Sequence, residues 1–169
     1  MERFIDDISG VWKNSICIGT GNEAASAGHT AGQLRDEEEA VIELAVQDRQ
    51  PSLNIQIWKE YTDVIDISLI SPSGVEIGPI PETLGVQRFT MGQTEVLLYY
   101  GEPSPFSTAQ EVFIELLPVN DYMNQGVWKI VLTPRKIVTG LYELWLPSEA
   151  VLNRGTGFLY PKNLSLIHI

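Results

Sequence analysis

Along most of this chain apolar and polar residues alternate one for one. Ile42, Leu44 and Val46 are interleaved with Glu43 and Ala45, and Leu53, Ile55 and Ile57 with Asn54, Gln56 and Trp58. Ile65, Ile67 and Leu69 alternate with Asp66 and Ser68. The same period returns at Val96, Leu98 and Tyr100, at Val112, Ile114 and Leu116, at Trp128, Ile130 and Leu132, and at Tyr142, Leu144 and Leu146. A period of two turns one face of a strand to a core and the other to solvent, as in half-buried antiparallel sheet. With a last short run at 164–169, the pattern predicts about eight strands. Turn-forming stretches at 48–51, 71–74, 79–81, 101–105, 118–120 and Pro147 separate them. Many short strands without a long amphipathic helix predict an all-β, antiparallel two-sheet sandwich, jelly-roll-like.

The first 35 residues break this rhythm. Phe4, Ile5 and Ile8 share one side of a short helical stretch that Ser9-Gly10 can end. Residues 11–18 contain an apolar run suited to a buried strand, Gly19-Thr20-Gly21-Asn22 stops it, and 24–32 is a small-residue loop. That is too little material for a core of its own, so the chain divides into 1–35 and a sandwich at 36–169. An apolar strand without neighbours is an unpaired edge, expected to be disordered, to add to the sandwich or to join two molecules into a dimer.

Composition narrows the partners. An apolar content of 44% is that of a globular protein. A formal charge of −11 repels nucleic-acid backbones and anionic membranes, so neither is an expected partner. The single cysteine, Cys17, excludes an internal disulfide and reads as a buried thiol between Ile16 and Ile18. No apolar run is long enough to span a bilayer as a helix. The cellular compartment stays open.

The segment Ile16-Cys17-Ile18-Gly19-Thr20-Gly21-Asn22-Glu23 is the most informative for chemistry. A strand ending among glycines leaves Asn22 projecting, where its amide can donate to an oxyanion in an acyl-transfer transition state. An ordinary turn asparagine fits the same pattern. The segment resembles the subtilases, subtilisin-like serine peptidases in which a buried strand runs into Gly-Asn-Glu. That resemblance implies that Asn22 is the side-chain half of an oxyanion hole. Thr20 and Ala24 depart mildly from the family pattern.

The likeness extends furthest to the clostridial branch that includes spore-germination proteases. There, a loop similar to Ala27-Gly28-His29-Thr30-Ala31-Gly32 follows the asparagine, and a jelly-roll insert precedes the serine-bearing part of the core. Gly126-Val127-Trp128-Lys129-Ile130 and Leu144-Trp145-Leu146-Pro147 resemble strands of that insert. The resemblance implies that 1–35 is a piece of catalytic core and 36–169 the insert. The partners it implies are the rest of the core and the parent's peptide or protein substrate.

The triad such enzymes use is missing. Only 21 residues precede Asn22, too few for the strands that carry the aspartate and histidine, and no Gly-Thr-Ser follows. Gly155-Thr156-Gly157 lacks the nucleophile. A donor without nucleophile and base has nothing to stabilise, so this chain is expected to be inert. Ser26, His29 and Asp36 are too close in sequence to hold a triad, and His29 reads as a loop histidine. The acidic run Asp36-Glu37-Glu38-Glu39 lacks the spacing of a calcium loop and reads as a solvated linker. No cofactor or metal is expected. Parity puts Trp128 in the core and Trp58 and Trp145 on outer faces, where indoles dock a neighbouring domain or stack on sugars. Three functions follow: an accessory domain of a serine endopeptidase, a free-standing carbohydrate-binding or adhesion module, or a purely structural interaction domain of an unrelated protein, which predicts that residues 1–34 are an ordered part of the sandwich. Trp58 and Trp145 together on one open face would favour the second, and buried or scattered tryptophans would count against it.

Overall fold

The computed structural model describes residues 7, 8, 10, 11 and 27–160. Asp7, Ile8, Gly10 and Val11 are helical, so helix continues into the position where the apolar strand was expected to start. The rest of that strand, Cys17, the segment around Asn22, and the run at 164–169 lie outside the described residues.

Eleven strands follow: β1 (His29–Gln33), β2 (Ala40–Val46), β3 (Leu53–Glu60), β4 (Val64–Ile70), β5 (Glu76–Ile80), β6 (Gly85–Met91), β7 (Thr94–Tyr100), β8 (Ala109–Pro118), β9 (Gly126–Lys136), β10 (Leu141–Trp145) and β11 (Gly157–Tyr160). They form two antiparallel sheets, one of six strands ordered β1-β10-β3-β8-β7-β6 and one of five ordered β11-β2-β9-β4-β5. Early strands pair with late ones, β2 with β9 and β3 with β8, which gives the sandwich its jelly-roll-like nesting.

The count exceeds the eight expected because four strands carry weak local signals. β1 is built of small residues and was expected as loop. β5 runs through Gly78 and Pro79, where a turn was expected. β6 places Gln87 and Arg88 among its apolar residues, and β11 has only four residues. Each is held by its partner strand more than by its own alternation.

The inner faces interdigitate as the period-two pattern demands. Ile55, Ile57, Leu98 and Ile114 of the six-stranded sheet are buried against Ile42, Leu44, Ile67 and Ile130 of the other. Trp128 is fully buried and donates its Nε1–H to the Asn124 carbonyl at 2.9 Å. Asp66 and Ser68, expected on a solvated face, are buried too: Arg135 covers Asp66, and the backbone at Gly78 lies against Ser68.

At one side the sheets meet along a seam. The Phe158 N–H donates to the Ala27 carbonyl at 2.7 Å, and the Leu146 N–H to the Gly28 carbonyl at 2.8 Å. The first and last described strands are therefore neighbours, and the sandwich takes in residues from 27 onward. Among the described residues, no helix is long and apolar enough to cross a membrane.

Candidate functional site

The outer face of the six-stranded sheet carries the exposed aromatics. Strand register sets His29, Trp145, Gln56, Phe113, Tyr99 and Val86 in one row across all six strands. In the next row Glu143, Trp58 and Glu111 lie side by side on β10, β3 and β8. Trp58 and Trp145 thus share one open face, as their parity with polar neighbours indicated. This row could not be read from sequence, because it depends on which strands are neighbours.

His29 is not a loop histidine. Its ring stacks on Trp145, with centroids 3.8 Å apart and planes at 27°. Its Nε2 lies 3.9 Å from Glu143 Oε2, and neither ring nitrogen makes a hydrogen bond to a described residue. Burial lowers its pKa, against a smaller opposing pull from the Glu143 carboxylate. The Trp145 indole donates to that same carboxylate oxygen at 3.2 Å.

Two clefts flank Trp58. One, of about 400 Å³, is walled by Trp58, Glu60, Leu141, Glu143 and Trp145 among others. The second, of about 470 Å³, is walled by Trp58, Tyr99, Glu102, Ser104 and Glu111 among others. Glu60 accepts a hydrogen bond from the Thr108 hydroxyl at 3.3 Å. The carboxylates of Glu102 and Glu111 have no ion pair or hydrogen bond to a described residue.

Beneath this face a polar layer closes one end of the core. Asp63, fully buried, accepts from the backbone N–H groups of Val138, Thr139 and Gly140 at 2.6, 3.0 and 2.7 Å. Burial pushes its carboxyl pKa up, but these three donors and the Lys59 charge outweigh that and hold it below the usual value. Lys59 turns inward, donating to the Asp63 carbonyl and facing Glu82 at 3.3 Å; burial lowers its pKa despite those partners. The buried Tyr100 hydroxyl, whose pKa burial raises, donates toward the Ile65 and Ile80 carbonyls. These groups tie turns together and face no cleft chemistry.

The remaining sequence candidates do not converge. Ser26 and Asn22 lie outside the described residues, so no triad or oxyanion geometry is defined. Asp36 to Glu39 are largely exposed around a turn, and no group of three or more metal-binding side chains forms among the described residues.

Neither a protein-family model nor a curated protein matches the chain. Among solved structures, it is similar to a Clostridium perfringens CspB protease, with a TM-score of 0.82 and 27% identity. The likeness covers 95% of this chain but 33% of that one, so this chain spans about a third of the length of the protein it matches.

Proposed function

We propose that the sandwich is an accessory domain inserted into a subtilisin-like serine endopeptidase of the spore-germination type, and that this chain alone does not cleave peptides. The observation that carries this reading is the seam. A domain inserted into a host fold must leave beside where it came in, and Ala27 and Phe158 are hydrogen-bonded neighbours at 2.7 Å. The partial overlap with a longer protease supports the same reading. Residues 1–35 are then a piece of catalytic core, whose last residues also pair into the sandwich as β1. In the parent, Asn22 donates to the tetrahedral intermediate, while groups elsewhere attack and move protons. The sandwich stiffens that core and limits access to its cleft. A direct check is to incubate the chain with casein and with a peptide chloromethylketone. Neither turnover nor covalent labelling is expected; either one overturns the reading.

A second reading, a carbohydrate-binding module, is favoured by Trp58 and Trp145 sharing one open face. Against it, one ring face of Trp145 is covered by His29, leaving no paired indole platform. Calorimetric titration with cello- and chito-oligosaccharides separates the two, since only the module reading requires saturable binding.

A further inference from the structure

The clefts beside Trp58 have a charge pattern that the accessory role does not use. Four carboxylates line them: Glu60 and Glu143 on one side of the indole, Glu102 and Glu111 on the other. The single basic residue in either wall, Lys59, turns its ammonium inward to Asp63 and Glu82, so it brings no cation to the opening. The outer face of the five-stranded sheet is different. There Glu43 faces Lys129 at 3.7 Å, Asp66 is bonded to Arg135, and Glu39 accepts from the Thr133 hydroxyl at 2.7 Å. Acid without a Lys or Arg partner is thus gathered around an exposed indole, whereas on the opposite face Glu43 and Asp66 each meet a cation.

We propose that the Trp58 clefts bind a basic segment of a separate polypeptide, one Arg or Lys side chain entering on each side of the indole. A cation over an indole face is attracted by the ring quadrupole, and carboxylates at the cleft walls add charge-assisted hydrogen bonds. An extended segment suits the site, because residues two apart project to the same side and can straddle Trp58. The position argues for a separate chain. Ala27 lies beside Leu146 and Phe158, whereas Glu60, Leu141 and Ala109 lie toward the opposite end of these strands. The second cleft and the Glu60–Leu141 end of the first therefore open away from the seam where the chain comes in and leaves, while Trp145, beside Leu146, walls the near end of the first. The inference uses only this surface and stands whether or not the peptidase reading holds.

The test is calorimetric titration of the full chain with the peptide acetyl-Gly-Arg-Gly-Arg-Gly-amide, its alanine counterpart, and cellohexaose. Saturable binding of the arginine peptide alone is expected, weakening steadily as NaCl rises from about 50 to about 300 mM. Trp58→Ala is expected to weaken it about fivefold, and Glu111→Gln with Glu143→Gln by about tenfold or more. Glu39→Gln with Glu76→Gln, on the opposite face, controls for the chain's general acidity and should leave affinity within about twofold. The proposal is overturned if the arginine peptide does not saturate, if the control pair weakens it as much as the cleft pair, if Trp58→Ala has no effect, or if the sugar binds at Trp58 instead. These are surface positions, and unchanged thermal melting confirms that each variant is folded.

Discussion

The backbone N–H of Phe158 is hydrogen-bonded to the carbonyl of Ala27 at 2.7 Å, joining the last described strand to the residues that precede the first. Their separation in sequence is nearly the whole sandwich, so this bond closes the domain on itself. Loop closure on that scale is entropically expensive, and the packing of both sheets must support it.

The seam leaves no room for a larger side chain. A Cβ on Gly157 lies 2.7 Å from the Ala27 Cβ and 3.0 Å from its carbonyl oxygen. Gly157→Val is expected to destabilise by about 2 kcal/mol through overpacking. Urea unfolding should show a lower midpoint with an unchanged slope.

Asp63 holds three backbone donors at the turn between β9 and β10. Asp63→Ala leaves them unpaired, the Gly140 N–H in a buried setting, and strips a neighbour from Lys59, which should cost about 2 kcal/mol in chemical denaturation. The carboxyl also links stability to acid. Its folded pKa is below the unfolded value of 3.8, so below that pH the unfolded chain binds the extra proton. This contribution is fully present above pH 3.8 and is lost as pH falls toward the folded value. Asp63→Asn should flatten that part of the profile.

His29 produces a slope nearer neutrality. Its folded pKa is lowered from 6.5 by burial, so the unfolded chain takes up its proton first as pH falls. Stability is complete above pH 6.5 and declines below it until the folded ring protonates too. His29→Phe keeps the stack on Trp145 and should remove this component, read from urea melts between about pH 5 and 8.

Central core positions should be the most sensitive to truncation. Ile114 and Leu98 face each other across β8 and β7, both fully buried. Ile114→Ala or Leu98→Ala is expected to cost about 3 kcal/mol, whereas Val86→Ala, on an exposed edge, should cost less than about 0.5.

Seven strands were legible because their apolar residues alternate strictly, as Ile55 and Ile57 do against Gln56 and Trp58. Those residues pay for their own burial, so the signal is local. The strands that escaped are held from outside. β1 has no apolar stripe; it exists through its pairing with β10 and the stacking of His29 on Trp145. In β5, Pro79 looked like a turn, yet the strand sits at a sheet edge where a missing donor is tolerated. The outer faces of Trp58 and Trp145 were legible from parity. Their neighbourhood was not, because the clefts are made by β10, β3 and β8, strands far apart in sequence. Asn22 rests on the family resemblance and lies outside the described residues.

The most direct measurement is peptide mapping of the intact protein purified from its own cells. The account predicts peptides that continue the chain on both sides of the sandwich, with aspartate and histidine motifs before residue 1 and a Gly-Thr-Ser after residue 169. A native polypeptide running only from Met1 to Ile169 would contradict it.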